Sequence, residues 1–593
     1  MFRAADTFNQ DIASWDVSKV MDMSGMFFGS ISFNQDIGGW DVSNVTDMTD
    51  MFSNASSFNQ DVGDWNVFNV IDLNFFLNDV PLSISNYDSL FIGWSSLTLQ
   101  NGLTLTANTS RYSSDAQSAR QSIIDNFGWT IDDAGLFTID PFITVWKTDN
   151  EGVSNDDQVT IPGKGNNYTI EWEDVNDASV NGSLTEIKDD TTITFPSTGT
   201  YRIKITGDFF RIHLGKYDDA EKSDALKLLE IEQWGNLPWT TMKEAFGTIS
   251  TFPDYGAENL SITATDAPDL VRVGNMEAMF AFAKKMNADI NHWNTGNVTN
   301  MRALFTGAES FNQNISSWNT SFVTDMSQMF AQARAFNQDI GNWDVSNVTN
   351  MSGMFRAAES FNQDISSWDI KNVTRMSGVF FFAESFNQDI GKWNTSNVVV
   401  MDGLFSEAIS FNQDISDWNT SNVRRMPNMF QNAKSFNQDI ADWNTGSVWN
   451  MSGMFSGAEA FNQDISEWDV SNVIDMEEMF FNASSFNQDL SNWDITEVGN
   501  GPGDFINFLS NSGMSRVNYD YLLQAWSKLS VQTGLSFGAE SIRYTSVAES
   551  ARNKLVDEFN WTINDAGLFV PKPFITVWQT DNEGVSDDDQ ISI

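Results

Sequence analysis

Trp293, Trp318, Trp343, Trp368, Trp393, Trp418, Trp443, Trp468 and Trp493 return every 25 residues, and Trp15, Trp40 and Trp65 keep the same step earlier in the chain. A fixed period in the twenties constrains the fold more than any local motif. Each unit is too short to bury its own apolar face, so units must stack and share one core. In one unit, Phe361, Ile365 and Trp368 form a first apolar set, and Val373, Met376, Val379, Phe380 and Ala383 form a second. The spacing of the second set predicts a short strand or turn running into a brief helix, with Ser377 as its cap. If neighbouring units pair as parallel strands ~4.8 Å apart, nine Trp-bearing rungs make an array roughly 40 Å long.

The period breaks in defined places. Residues 1–79 read as the end of a first array, 80–139 as a helical C-terminal cap and 140–208 as a small β-sandwich of alternating strands. Residues 209–275 read as a cap opening the second array, 276–499 as the main array, 500–571 as a second helical cap and 572–593 as the start of another β-sandwich. Tyr87 and Tyr519, Arg120 and Arg552, Trp129 and Trp561, and Pro141 and Pro573 are each 432 residues apart. The larger repeating module is therefore β domain, cap, array, cap. The fold class expected is mixed α/β: leucine-rich-repeat-like solenoid arrays with helical caps, alternating with a small all-β sandwich. Met1 falls in the phase of Met26, inside a unit, so the sequence reads as part of a longer protein.

The formal net charge of −48 opposes binding to nucleic acid and anionic membranes. There is no cysteine, which removes disulfides, zinc–thiolate sites and cysteine nucleophiles. No apolar run is long enough to span a bilayer. The two histidines, His213 and His292, lie in different segments, so neither a histidine metal cluster nor a Ser-His-Asp triad is expected. No catalytic residue is assigned.

Three columns carry the candidate chemistry. The Trp column, represented by Trp343, Trp368, Trp393 and Trp418, is either a buried stack or a platform for carbohydrate. The Asn column, represented by Asn337, Asn362, Asn387 and Asn412, either satisfies backbone groups in a bend or binds ligand. The third column is Asp339, Asp364, Asp389, Asp414, Asp439, Asp464 and Asp489. Carboxylates ~5 Å apart repel by ~0.8 kcal/mol each at the dielectric of water, about 5 kcal/mol over the column before screening. Either they turn to backbone N–H donors or cations lie between them. Asp149, Asp156 and Asp157, with their copies Asp581, Asp587 and Asp588, are the local candidates for Ca²⁺; the alternative is an acidic hairpin turn. Phe28, Phe381, Phe382 and Phe481 occupy slots where other units carry Ser, Gly, Arg, Gln or Asn. If they face outward they are candidate contacts with a partner.

The phrase Phe-Asn-Gln-Asp-Ile-Ser-x-Trp-Asp-Val-Ser-Asn-Val-Thr-x-Met-Ser-x-Met-Phe closely resembles the BspA-type leucine-rich-repeat surface proteins of bacteria. The β segment resembles a PKD-type sandwich, although Trp172-Glu173-Asp174-Val175 stands where that type has Trp-Gly-Asp-Gly. These resemblances imply a segment of a very large cell-surface adhesin, exported by type IX secretion on a signal outside this sequence. Its partner would be a cell-surface protein or glycan. The competing expectation is a structural segment of an appendage or fibre that binds sister chains, and a polysaccharide-active enzyme is the remote one.

Overall fold

The computed structural model describes residues 1–138, 140–215, 223–248, 256–501 and 504–572. The expected restart of the β domain lies beyond these apart from residue 572, as do Asp581, Asp587 and Asp588. Residues 1–139 and 140–593 form two separate compact units. Among the described residues, named secondary structure is mostly strand with four α-helices, and no sheet closes into a barrel.

In the first unit, 25-residue rungs are followed by helix α1 (Ile84–Trp94), strand β1 (Thr104–Ala107), helix α2 (Ser114–Phe127) and strand β2 (Thr130–Asp133). The rungs join through parallel single-residue bridges, Asp22 to Asp47 and Asp47 to Asp72. The helix-bearing segment continues the same columns. Asn86 in α1 donates to the Asn59 carbonyl, and Trp94 Nε1 donates to the Val62 carbonyl at 3.2 Å. β1 and β2 pair in parallel, and Ser83 and Ser113 cap the two helices.

The second unit opens with β3 (Phe142–Lys147), β4 (Gln158–Ile161), β5 (Gly163–Asp174), β6 (Asn181–Ile187), β7 (Thr191–Thr194), β8 (Thr200–Ile212), β9 (Leu228–Gln233) and β10 (Ser261–Ile262). Six of these form one sheet in the order β10-β9-β3-β8-β5-β6, and β4 pairs with β7 separately. The expected boundary at 208 is corrected. β8 runs through it to Ile212, and β9 and β10 belong to the same sheet, because Leu228 and Ile231 supply buried side chains to the β core. Stacking begins within the same segment: Met242, Glu244 and Phe246 donate their N–H groups to the carbonyls of Asn275, Glu277 and Met279.

The main array follows, then α3 (Arg516–Trp526), β11 (Ser536–Ala539), α4 (Glu549–Asp557) and β12 (Thr562–Asp565). The expected brief helix in each rung is absent from the described array residues, so Ser377 caps nothing. The reason is a pair of left-handed residues four apart, Gly378 (φ 58) and Phe382 (φ 57) in one rung, Asn428 and Asn432 (both φ 55) in another. A left-handed residue ends a right-handed helix. Backbone N–H groups instead alternate between two uses. Val379, Phe381 and Ala383 donate three residues back within the rung, while Gly378, Phe380 and Phe382 donate to Asp402, Leu404 and Ser406 of the next rung. Apolar residues therefore recur at near-helical spacing along a run of tight turns.

The aromatic columns stack over the shared core. Phe355, Phe380 and Phe405 lie 5.8 and 5.6 Å apart at interplanar angles of 7° and 5°, and Trp368 and Trp393 lie 6.4 Å apart at 2°. Burying each such side chain contributes roughly 1.5–3 kcal/mol, so every rung gains most of its stability from its neighbours.

Candidate functional site

The three polar columns are occupied by structural bonds. Trp343, Trp368, Trp393 and Trp418 are buried, and Trp368 Nε1 donates to the Ile340 carbonyl at 3.1 Å. They offer no open platform to a sugar. Asn337, Asn362, Asn387 and Asn412 form a ladder in which each side-chain oxygen accepts the backbone N–H of the next Asn at 2.9–3.0 Å. In the Asp column, Asp339, Asp364, Asp389 and Asp414 each turn Oδ1 onto the N–H two residues on, at 2.9–3.0 Å. Ser366, through its hydroxyl and its N–H, holds the Asp364 carboxyl below its ordinary value; Ser416 does the same to Asp414, chiefly through its N–H.

The acidic loop at 149–160 is organised around a lysine and an aspartate. Among the described residues, no group of three or more carboxylate or histidine side chains is placed to hold a cation. Asp149 and Asp156 are exposed, and Asp149 lies 3.5 Å from Lys147 Nζ. The cation at the centre of the loop is the buried ammonium of Lys227, which donates to the carbonyls of Ser154, Asn155 and Gln158 at 2.9–3.0 Å. Buried Asp224 completes the clamp by accepting from the N–H groups of Val153, Ser154 and Thr160. Burial lowers the Lys227 pKa, against the opposing pull of Asp224. Neither residue stood out in the sequence, since no spacing rule links a loop to a lysine some seventy residues later.

Of the aromatic slots, Phe28, Phe381 and Phe481 are half-buried and occupy the same position of their rungs, while Phe382 is 40% exposed at the next position. Phe28 lies beneath the guanidinium of Arg3 at 4.2 Å, and Phe381 beneath that of Arg356 at 5.2 Å. Exposed Phe322 and Trp449 were not among the sequence candidates.

Phe381 leads to an extended concavity of the array that combines charge with an open floor. It has a volume of about 790 Å³ and crosses successive rungs from Arg302 to Gln431. Such a volume falls within the ordinary range of ligand clefts, roughly 300–1,000 Å³. Its floor follows the bridge column, where Asn350, Arg375, Val400 and Arg425 succeed one another. Gly353, Gly378 and Gly403 occupy a left-handed position that Ala303, Gln328 and Asn428 fill in other rungs. A Cβ at Gly378 would meet only the Phe381 Cβ, at 3.5 Å. These glycines are therefore not forced by packing, and they leave the floor bare.

Four arginines line this cleft. Arg302 pairs with Glu277 at 3.3 Å and Arg425 with Asp402 at 2.7 Å, while Arg356 and Arg375 form no ion pair among the described residues. Asp402 Oδ1 and Arg425 Nε are buried without a hydrogen-bond partner there. Burial pushes the Asp402 carboxyl above its ordinary value, with Arg425 opposing. Arg356 stood among the variable slots in the sequence, but the convergence of four arginines required the phase of the stack.

The fold and cleft together define a stacked-repeat protein with a recurrent buried apolar framework and a variable cationic face. Residues 1–88, 240–366, 332–433 and 413–512 match the family described as "Mycoplasma protein of unknown function, DUF285". These stretches span more than half of the chain, which therefore belongs to that family. No curated protein and no solved structure matches the chain.

Proposed function

We propose that this chain is a non-enzymatic binding segment of a bacterial cell-surface adhesin, in which the array presents a recognition face. In this reading the stacked rungs are a BspA-type leucine-rich-repeat-like solenoid, the helix-bearing segments cap its ends, and the β region is PKD-like. The observation that carries the reading is the division of labour within the rung. Phe361, Ile365, Trp368, Met376 and Phe380 recur in the buried columns, whereas the bridge column passes through Asn350, Arg375, Val400 and Arg425. A spacer needs only the first set; a variable concave face is what a binding array needs.

The test is attachment of the purified chain, immobilised on beads, to bacterial and host cell surfaces, alongside its mass by light scattering. Saturable attachment by a monomer supports an adhesin. A defined oligomer without attachment replaces it with the self-associating structural segment. Export to the cell surface is checked by accessibility of the native protein to antibody on intact cells.

A further inference from the structure

We propose that the cleft binds an elongated, carboxylate-bearing oligosaccharide, with Arg356 and Arg375 pairing with its carboxylates. The proposal rests on the binding role given above and names the chemistry of its ligand.

Charge is the first argument. On a chain of net charge −48, the cleft collects Arg302, Arg356, Arg375 and Arg425 against only Asp325 and Asp402. Asp402 is already engaged by Arg425, and Asp325 accepts from the Ser327 N–H and hydroxyl. Arg356 and Arg375 remain without a carboxylate among the described residues. A guanidinium offers a planar pair of donors matched to a carboxylate, and such charge-assisted bonds are the strong ones. At physiological salt the screening length is about 8 Å, so a short ligand in the cleft senses these arginines more than the distant acidic surface.

Shape is the second. The cleft runs over five rung steps from Arg302 to the rung of Pro427, roughly 24 Å at ~4.8 Å per step. A single sugar or a free anion would fill only part of it.

The third argument separates a glycan from a peptide that binds by strand addition. Such a peptide pairs with an open backbone edge of a sheet. Here the backbone is spent on the stack: Met351, Gly353 and Gly378 donate to the carbonyls of Arg375, Ser377 and Asp402. What faces the cleft is side-chain chemistry. The hydroxyls of Ser352 and Ser377 make no hydrogen bond within the described chain, and the half-buried ring of Phe381 offers an apolar surface. Hydroxyls, guanidinium groups and one aromatic ring suit a ligand that carries hydroxyls, carboxylates and C–H faces.

The experiment is calorimetric titration of the whole chain with a homogeneous uronic-acid oligosaccharide, a neutral oligosaccharide of equal length and an oligoglutamate of equal charge. The expected result is saturable binding of the uronate alone, weakening as salt rises. Arg356→Gln with Arg375→Gln should weaken it ~100-fold, about tenfold for each charge-assisted bond lost. Gly378→Asn with Gly403→Asn should abolish it without altering charge. Asn adopts the same left-handed backbone at Asn428 in this column, so the fold is retained, and an unchanged unfolding temperature checks this. No binding of the uronate, equal binding of oligoglutamate, or binding that survives both double variants overturns the proposal. Cell attachment that persists while the uronate fails to bind overturns this ligand and leaves the adhesin reading standing; loss of attachment in every assay sinks that reading itself.

Discussion

Asn362 accepts the backbone N–H of Asn387 on its side-chain oxygen at 2.9 Å, and the same oxygen accepts Gln388 Nε2 at 2.9 Å. One amide thus serves two donors of the next rung. Asn387 repeats the arrangement toward Asn412 and Gln413 at 2.9 and 3.0 Å. The column is invariant because each member is needed by its neighbour.

Asn387→Ala should therefore act on the following rung. It leaves the Asn412 N–H and the Gln413 amide without their partner, at about 1–3 kcal/mol for a partly buried donor. Hydrogen exchange should rise at Asn412 and fade over the rungs beyond. An equal rise at distant rungs would contradict nearest-neighbour stacking.

The Asp column predicts an acid response. Asp364, Asp414 and Asp464 have folded pKa values below the ordinary carboxylate value, through bonds from Ser366, Ser416 and Ser466. A carboxyl with a depressed folded pKa contributes stability that is present above its unfolded value, ~3.9, and is lost as pH falls through the folded one. Tryptophan emission should report a transition that moves to lower temperature below about pH 4. Asn314 already fills this column and accepts the Ser316 N–H at 2.9 Å. Replacing the three Asp residues by Asn should keep the neutral-pH fold and flatten the acid dependence. A variant as acid-sensitive as the parent would place that dependence elsewhere.

Stacking and the identity of the buried columns were legible because a 25-residue period leaves one way to bury Phe361, Trp368 and Phe380. The helix expected after Met376 was not, because apolar spacing alone cannot separate a helix from consecutive turns. The deciding residues are the left-handed Gly378 and Phe382, and a left-handed Phe has no sequence signal. The β region was legible as strands but not in extent: β9 returns to pair with both β3 and β10, a connection that alternation does not encode. The cleft follows from residues 25 apart becoming neighbours, so its arginines are dispersed in sequence and adjacent only in the stack.

Tyr87, Arg120 and Asp133, and their copies 432 residues on, Tyr519, Arg552 and Asp565, form the same buried cluster twice. Arg120 meets Asp133 at 2.8 Å with Tyr87 on the same carboxylate, and Arg552 meets Asp565 at 2.7 Å with Tyr519. Both aspartates are nearly inaccessible, at 3% and 2%. Arg552→Ala strands a buried carboxylate and should cost about 3–5 kcal/mol. Arg120→Ala should cost a like amount in the first unit. Replacing Arg552 and Asp565 together by apolar residues should recover most of the loss. Scanning calorimetry of the single and double variants distinguishes a stabilising ion pair from a carboxylate that merely requires a partner.

The last prediction concerns which cation holds the acidic loop. Lys227 Nζ lies among three carbonyl oxygens and the Ser154 hydroxyl, the kind of oxygen cage that would suit a hard metal ion. The protein supplies the positive charge covalently, so calcium should be dispensable. Lys227→Met removes the donor from those carbonyls and takes the nearby positive charge away from Asp224, which is 1% exposed, so the substitution should cost several kcal/mol, on the order of 3–5. Thermal unfolding followed through Trp146 and Trp234, both buried in this region, should shift down in the variant. The parent should unfold at the same temperature with chelator and with millimolar calcium. If chelator lowers the parent as far as the substitution does, a bound metal and not the lysine holds the loop. If calcium restores Lys227→Met alone, the cage accepts a divalent ion once the ammonium is gone, and the lysine is what excludes it from the parent.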